Sequence, residues 1–198
     1  MGTSCAAIRL YADDVILLAP SLHALQMLVN ICDCELNFLD MAINPRKSSC
    51  MRFGPRHKSV CANVSVGFCI SWTTLSRYLG VYLEGSVKFK CFFAKNKAGF
   101  YKAFNNIFGK IGRNASDEVL FAFIKSKCLP VLFYGTEACP ITSADKHSLE
   151  FTVNKVLYKI FGAMSKDSYN EICKYFGIDK VEESISHRQE RFVKRYSG

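Results

Sequence analysis

The sequence predicts an α+β fold in which a strand-rich N-terminal part gives way to a helical C-terminal part. Three observations carry this. β-prone runs flank an Asp13-Asp14 pair near the start, a second β-rich stretch spans Val64 to Leu83, and from Gly85 onward apolar residues recur at helical period. The 198 residues suffice for one or two domains with a real core. An apolar fraction of 49% with 22% charged residues is ordinary for a globular protein.

Taken in order, Cys5 to Ala12 and Val15 to Ala19 form the expected arms of a hairpin, with Asp13-Asp14 between them. The second arm, Val15-Ile16-Leu17-Leu18, is apolar on both faces and is expected to be covered on both sides. Ser21 is placed to cap a helix running to about Met41, with Leu22, Leu25, Val29, Cys32, Leu36 and Leu39 along one face. Asn44-Pro45 breaks the chain, and Ser49 to Phe53 is expected to be a strand. Residues 86 to 111 are expected to form one long basic helix, its stripe of Phe93, Phe100, Phe104, Ile107, Phe108 and Ile111 facing a core. Between Gly85 and Ala115 there are seven basic residues, including Arg113, and no acid.

Ser116 can cap the next helix, with Asp117 and Glu118 in its first turn, and Pro130 should kink or end it. Thr142 and Asp145 have capping-box spacing ahead of a helix that turns Leu149, Val153, Val156 and Ile160 inward and stops at Gly162. The stretch Asp167 to Arg195 reads as two short amphipathic helices broken at Gly177. The expected domains are 1–83, 84–162 and 163–198.

A net charge of +9 favours a polyanionic partner, because Lys and Arg release counterions from phosphates. Ten cysteines are scattered without Cys-x-x-Cys or zinc-finger spacing, so they are expected to be reduced thiols in an intracellular compartment, cytoplasm or nucleus, and not a structural metal site or a secreted scaffold. The longest apolar run, Val15 to Pro20, is too short to span a membrane, and no targeting segment is expected.

Chemistry is carried by the acidic turn. Two adjacent carboxylates on a rigid hairpin tip suit hard divalent cations, and the metals offset their mutual repulsion. Tyr11-Ala12-Asp13-Asp14, flanked by Ile8-Arg9-Leu10 and Val15-Ile16-Leu17-Leu18, is followed by Ile43-Asn44-Pro45-Arg46-Lys47-Ser48. Then come Arg77-Tyr78-Leu79-Gly80-Val81 and Leu129-Pro130-Val131-Leu132-Phe133-Tyr134-Gly135-Thr136-Glu137-Ala138. In this order the four landmarks resemble the Tyr-x-Asp-Asp turn and downstream motifs of the reverse transcriptases of non-LTR (LINE-type) retrotransposons. The resemblance covers nearly the whole chain and thins after about Gly162.

The resemblance implies an incomplete polymerase palm to about residue 83, with the hairpin, a helix and short strands, followed by an α-helical thumb to about residue 162. It implies RNA-directed DNA synthesis from an RNA template and a DNA primer, using deoxynucleotides and two Mg²⁺ ions. Asp13 would be the principal metal ligand and Asp14 the second, with Tyr11 and Ala12 against the primer end. Lys47 would lie near the incoming triphosphate. Tyr78, Leu79 and Gly80 would belong to the primer grip, and Gly80 would let backbone approach the primer. Lys95, Lys102 and Lys110 are the candidates for phosphate contact along the duplex. The fourth landmark is expected to be structural.

The family's third catalytic carboxylate, its fingers and its nucleotide-pocket motif lie upstream of the Tyr-x-Asp-Asp turn and are absent here. The chain is therefore expected to be an inactive fragment, with weak or absent Mg²⁺ binding and open hairpin edges. Two alternatives stand beside it: a non-catalytic nucleic-acid-binding remnant acting through the thumb, and an unrelated basic α+β protein.

Overall fold

Short β-prone runs separated by polar breaks give small sheets, and the long apolar periodicities give helices. The computed structural model describes residues 6–111, 115–162 and 165–197, and the chain is mixed α+β. Contacts divide it into two compact units, 1–76 with 84–89 and 77–83 with 90–198. Cys5 and Arg113 lie outside the described residues.

In the first unit β1 (Ala7–Tyr11) and β2 (Asp14–Leu18) pair antiparallel, Ala7 opposite Leu18 and Tyr11 opposite Asp14. The expected cover on both faces of the second arm is not found: Leu18 is 51% exposed and Val15 38%, and Leu10, opposite Val15 on the first arm, is 71% exposed. The ribbon pairs with no third strand among the described residues, and helix α1 packs against β2 with Leu17 meeting the core.

Helix α1 (Leu22–Phe38) starts at Ser21, whose hydroxyl accepts from the Ala24 amide at 3.2 Å. It ends before Met41 because Asp40 enters the left-handed region at φ 57°. The amides of Asp40 and Met41 then bond back to Asn37 and Leu36, a Schellman closure that uses up the free carbonyls. Val29 faces a small core with Cys50, Val64 and Ile70. Strand β5 (Cys69–Trp72) lies between β3 (Ser49–Cys50), which is parallel to it, and β4 (Val64–Ser65), which is antiparallel. The strand expected from Ser49 to Phe53 therefore covers only its first two residues. Gln26 on α1 bonds both backbone groups of Ser65, at 2.7 and 3.0 Å, so its amide stands in for a neighbouring strand.

The third sheet has the order β6 (Leu75–Tyr78), β7 (Val81–Glu84), β8 (Lys90–Cys91). The basic helix α2 runs Ala94–Ile111 and does not begin at 86. Val87, Phe89 and Cys91 alternate with Ser86, Lys88 and Lys90, so a period of two holds as far as Cys91. The Phe92 amide donates to Tyr82 O at 2.7 Å.

Phe100 and Phe104 of α2 are buried with Leu120, Phe121, Leu149 and Leu157 in the core of the second unit. Phe121 stacks on Phe176 with centroids 3.9 Å apart. Helix α3 (Asp117–Phe123) continues through a π turn, Ile124–Cys128, into α4 (Leu129–Leu132). Ser116 precedes α3, yet its side chain makes no capping bond to the helix backbone. Pro130 comes just after the π turn and sits in the first turn of α4, and the helical run ends two residues later at Leu132.

Helix α5 (Ser143–Phe161) carries the full capping box, with Asp145 N bonded to Thr142 Oγ1 at 3.2 Å and Thr142 N to Asp145 Oδ2 at 3.1 Å. Helices α6 (Lys166–Tyr175) and α7 (Val181–Tyr196) follow, with Gly177 at φ 60° between them. Glu150 of α5 accepts from the Val181 amide at 2.9 Å, placing a carboxylate at the positive end of α7.

Two turns close on each other in this unit. Leu79 and Gly80 join β6 to β7 with φ of 46° and 83°, and two successive positive φ values are the pattern of a type I′ hairpin turn. The Tyr134 hydroxyl donates to Leu79 O at 2.8 Å. A Cβ on Gly80 would meet Tyr134 Cε1 at 2.8 Å, and one on Gly135, φ 79°, would meet Val81 Cγ2 at 2.7 Å. Asn96 of α2 donates to Tyr134 O at 2.8 Å and ties the turn to the basic helix.

Among the described residues nine cysteines are free thiols, with Cys50, Cys91, Cys128 and Cys139 buried. Burial pushes the Cys128 thiol up to about 11. Among the described residues no helix is long and apolar enough to cross a membrane.

Gly80→Ala is expected to destabilise the chain by about 2–4 kcal/mol, from the strained φ plus the ring collision. Tyr134→Phe, which removes one hydrogen bond, should cost about 1 kcal/mol. Urea unfolding of the full chain checks the ranking. Thiol titration at pH 8 should label the exposed Cys34 and Cys69 quickly and leave Cys128 unreacted until the chain is unfolded.

Candidate active site

The acidic pair sits where the ribbon reverses. Tyr11 and Asp14 are the last cross-strand pair, leaving Ala12 and Asp13 as the two turn residues. Ala12 has φ 51° and is the one member of this turn with positive φ. Positive φ at the first central position alone is the type II′ pattern, which favours glycine there. An alanine in that place costs about 1–2 kcal/mol of left-handed strain.

Residues directly opposite in a ribbon share a face, so Asp14 stands beside Tyr11, and Arg9 and Ile16 form the next pair on that face. Tyr11, Ala12, Asp13 and Asp14 are all exposed. Arg9 turns its guanidinium to its own strand, donating to Ile8 O at 3.4 Å. The tip thus offers two neighbouring carboxylates to solvent on a backbone fixed by five residue pairs.

Whether these residues fit the implied ions can be tested on the donor set. No group of three or more His, Cys, Asp or Glu able to hold a metal occurs among the described residues. Mg²⁺ takes six oxygens and keeps several as water, so two carboxylates can hold one ion loosely. Two ions a few ångströms apart need a further anionic ligand between them. The residues described here do not fit a two-ion centre.

Lys47 lies in the same unit on a separate loop. Asn44 Oδ1 accepts from the amides of Arg46 and Lys47 at 3.0 and 3.3 Å, and Asn44 O accepts from Ser48 at 3.0 Å. This Asx turn accounts for the Asn-Pro-Arg-Lys-Ser run and leaves Lys47 exposed. No hydrogen bond or ion pair among the described residues joins it to Asp13 or Asp14. Tyr78, Leu79 and Gly80 are in the other unit, where the close approach that Gly80 permits is made by the Tyr134 ring.

On α2, Lys95, Lys102 and Lys110 fall within a wedge of about 80° on the side away from Phe104. Lys95 Nζ lies 6.0 Å from the Tyr82 ring centroid, and Lys102 and Lys110 are exposed. Lys97 points elsewhere, donating to Ser148 of α5 at 2.8 Å. Sequence reasoning missed α5 as a surface. Its signal was the absence of any acid from Phe151 to Ser165, with Lys155 between the exposed Phe151 and Tyr158 and Lys159 just after them.

No protein-family model, no curated protein and no solved structure matches the chain.

Ala12→Gly is expected to leave the ribbon equally stable or more stable by up to about 1 kcal/mol, the relieved strain being partly offset by glycine's extra freedom when unfolded. Ala12→Val should loosen it. Amide hydrogen exchange over residues 7–18 of the full chain reports both.

Proposed function

We propose that the chain is part of an RNA-directed DNA polymerase of the non-LTR retrotransposon type. In this reading the 1–83 stretch supplies a partial palm and the helices to about residue 162 a thumb. One observation carries it: Asp13 and Asp14 stand exposed at the tip of a β-ribbon whose last pair is Tyr11 and Asp14. That is the arrangement a Tyr-x-Asp-Asp turn requires. Asp13 is then the principal ligand and Asp14 the second for magnesium in the complete enzyme. Tyr11 and Ala12 lie at the primer end, Lys47 serves the triphosphate, and Tyr78, Leu79 and Gly80 belong to the primer grip.

The chain alone is proposed not to polymerise. With two carboxylates it holds at most a weakly bound ion, and no step of nucleotidyl transfer is assigned to it. A second reading, binding to nucleic acid without catalysis, is favoured by α2 itself. That helix has no acid over 94–111 and turns Lys95, Lys102 and Lys110 away from the core. Both readings predict contact with the phosphates of a template–primer duplex.

Purified full chain given an RNA template, a DNA primer, deoxynucleotides and Mg²⁺ should incorporate nothing. Incorporation that Asp13→Ala abolishes would overturn the inactivity. Binding to the same duplex should weaken with salt at a log–log slope of about −0.9 per phosphate contacted, less steeply for Lys102→Gln/Lys110→Gln. Absent or salt-insensitive binding rejects both readings.

A further inference from the structure

Helices α2 and α5 run side by side with matched positions. Lys97 bonds Ser148, Lys155 Nζ lies 6.0 Å from the Tyr101 ring, and Lys159 donates to Asn105 Oδ1 at 2.9 Å. The Lys159 ammonium also sits 5.6 Å from the centroids of Phe104 and Phe108. These contacts hold two ammonium groups in place over π faces without neutralising them.

Neither helix carries an acid along this stretch. Helix α2 has no Asp or Glu, and α5 has none from Phe151 to its end. The nearest acid in α5, Glu150, is turned to Val181 and Tyr169. Outward from the same side of α5 project Phe151, 61% exposed, and Tyr158, 45% exposed, with Lys155 between them. At 1.5 Å rise per residue the two rings are about 10 Å apart along the helix and within about 20° of each other around it. Two exposed flat rings in line, with stationed cations beside and between them, match a strand of alternating bases and phosphates. A duplex presents phosphates but keeps its bases stacked inside.

We infer that the outer face of α5, with its α2 flank, is a binding platform for single-stranded nucleic acid. Phe151 and Tyr158 stack on bases, and Lys155 and Lys159 contact phosphates. This surface is separate from the outward lysines Lys102 and Lys110, and it does not depend on the polymerase reading.

The test is fluorescence anisotropy of the full chain with labelled oligo(dT), oligo(rU) and a duplex of equal length. The first two probes separate DNA from RNA as the natural strand. Tyr158→Ala should weaken single-strand binding about ten-fold with the salt slope unchanged, and Tyr158→Phe should retain it. Lys155→Gln/Lys159→Gln should flatten the single-strand salt slope by about 0.7 per lysine. Phe151→Gln, at an exposed position, provides the stacking test if Tyr158→Ala fails to fold. Wild-type affinity in the stacking variants, or equal competition by inorganic polyphosphate, overturns the inference. Loss of duplex binding in Lys102→Gln/Lys110→Gln alone, with α5 variants silent, would keep the thumb proposal and remove this one.

Discussion

The helical unit depends on two turns that lock into each other, the hairpin turn at Leu79-Gly80 and the turn after α4 at Tyr134-Gly135. Leu79 and Gly80 can approach Tyr134 only because residue 80 has no Cβ, and Gly135 makes room for Val81 in the same way. The Tyr134 hydroxyl then satisfies the Leu79 carbonyl, which would otherwise be a backbone acceptor against an aromatic ring. Both left-handed positions are held from outside, so the strain at Leu79, φ 46°, is offset by contacts 55 residues away in sequence. This contact explains why 77–83 is grouped with the helices and not with the strands that precede it. It also gives the third and fourth sequence landmarks a shared structural reason that involves no ligand.

The acidic turn follows the opposite logic. Its residues touch little, and it is defined by backbone pairing alone. Five pairs and one strained alanine aim two carboxylates at water, with apolar arms only partly covered. Such a tip is unexplained by packing, because nothing in the core needs it.

Local devices were legible in the sequence because their chemistry is contained in four or five residues. Ser21, the Thr142–Asp145 box, Gly162 and Gly177 all act where their residue types predict. The hairpin belongs with them, but its turn falls one residue earlier than expected, at Ala12 and Asp13, with Asp14 already paired to Tyr11 in the second strand. The misses share a different cause. The start of α2 was hidden because the two-residue alternation of Val87 to Cys91 runs directly into Phe93, which also fits the helical stripe. The uncovered arm looked buried because apolar composition reports what a strand could bury, not what is beside it. Ser116 has a capping residue's chemistry without the bond, and the π turn before Pro130 has no sequence signature of its own. The α5 face was illegible because two lysines and two aromatics on a helix look like ordinary surface until Tyr101 and Asn105 are seen next to them.

The division of the chain also bears on how it tolerates cutting. The polypeptide passes from one unit to the other three times, after residues 76, 83 and 89. No single scission can therefore sort the two units into separate fragments. A protease nick within 84–89 would leave the N-terminal piece still carrying 77–83, the segment clasped by Tyr134 and Gly135. The two products would stay joined without a covalent bond, as complementing fragments do, and a gel under native conditions would show one species where a denaturing gel shows two.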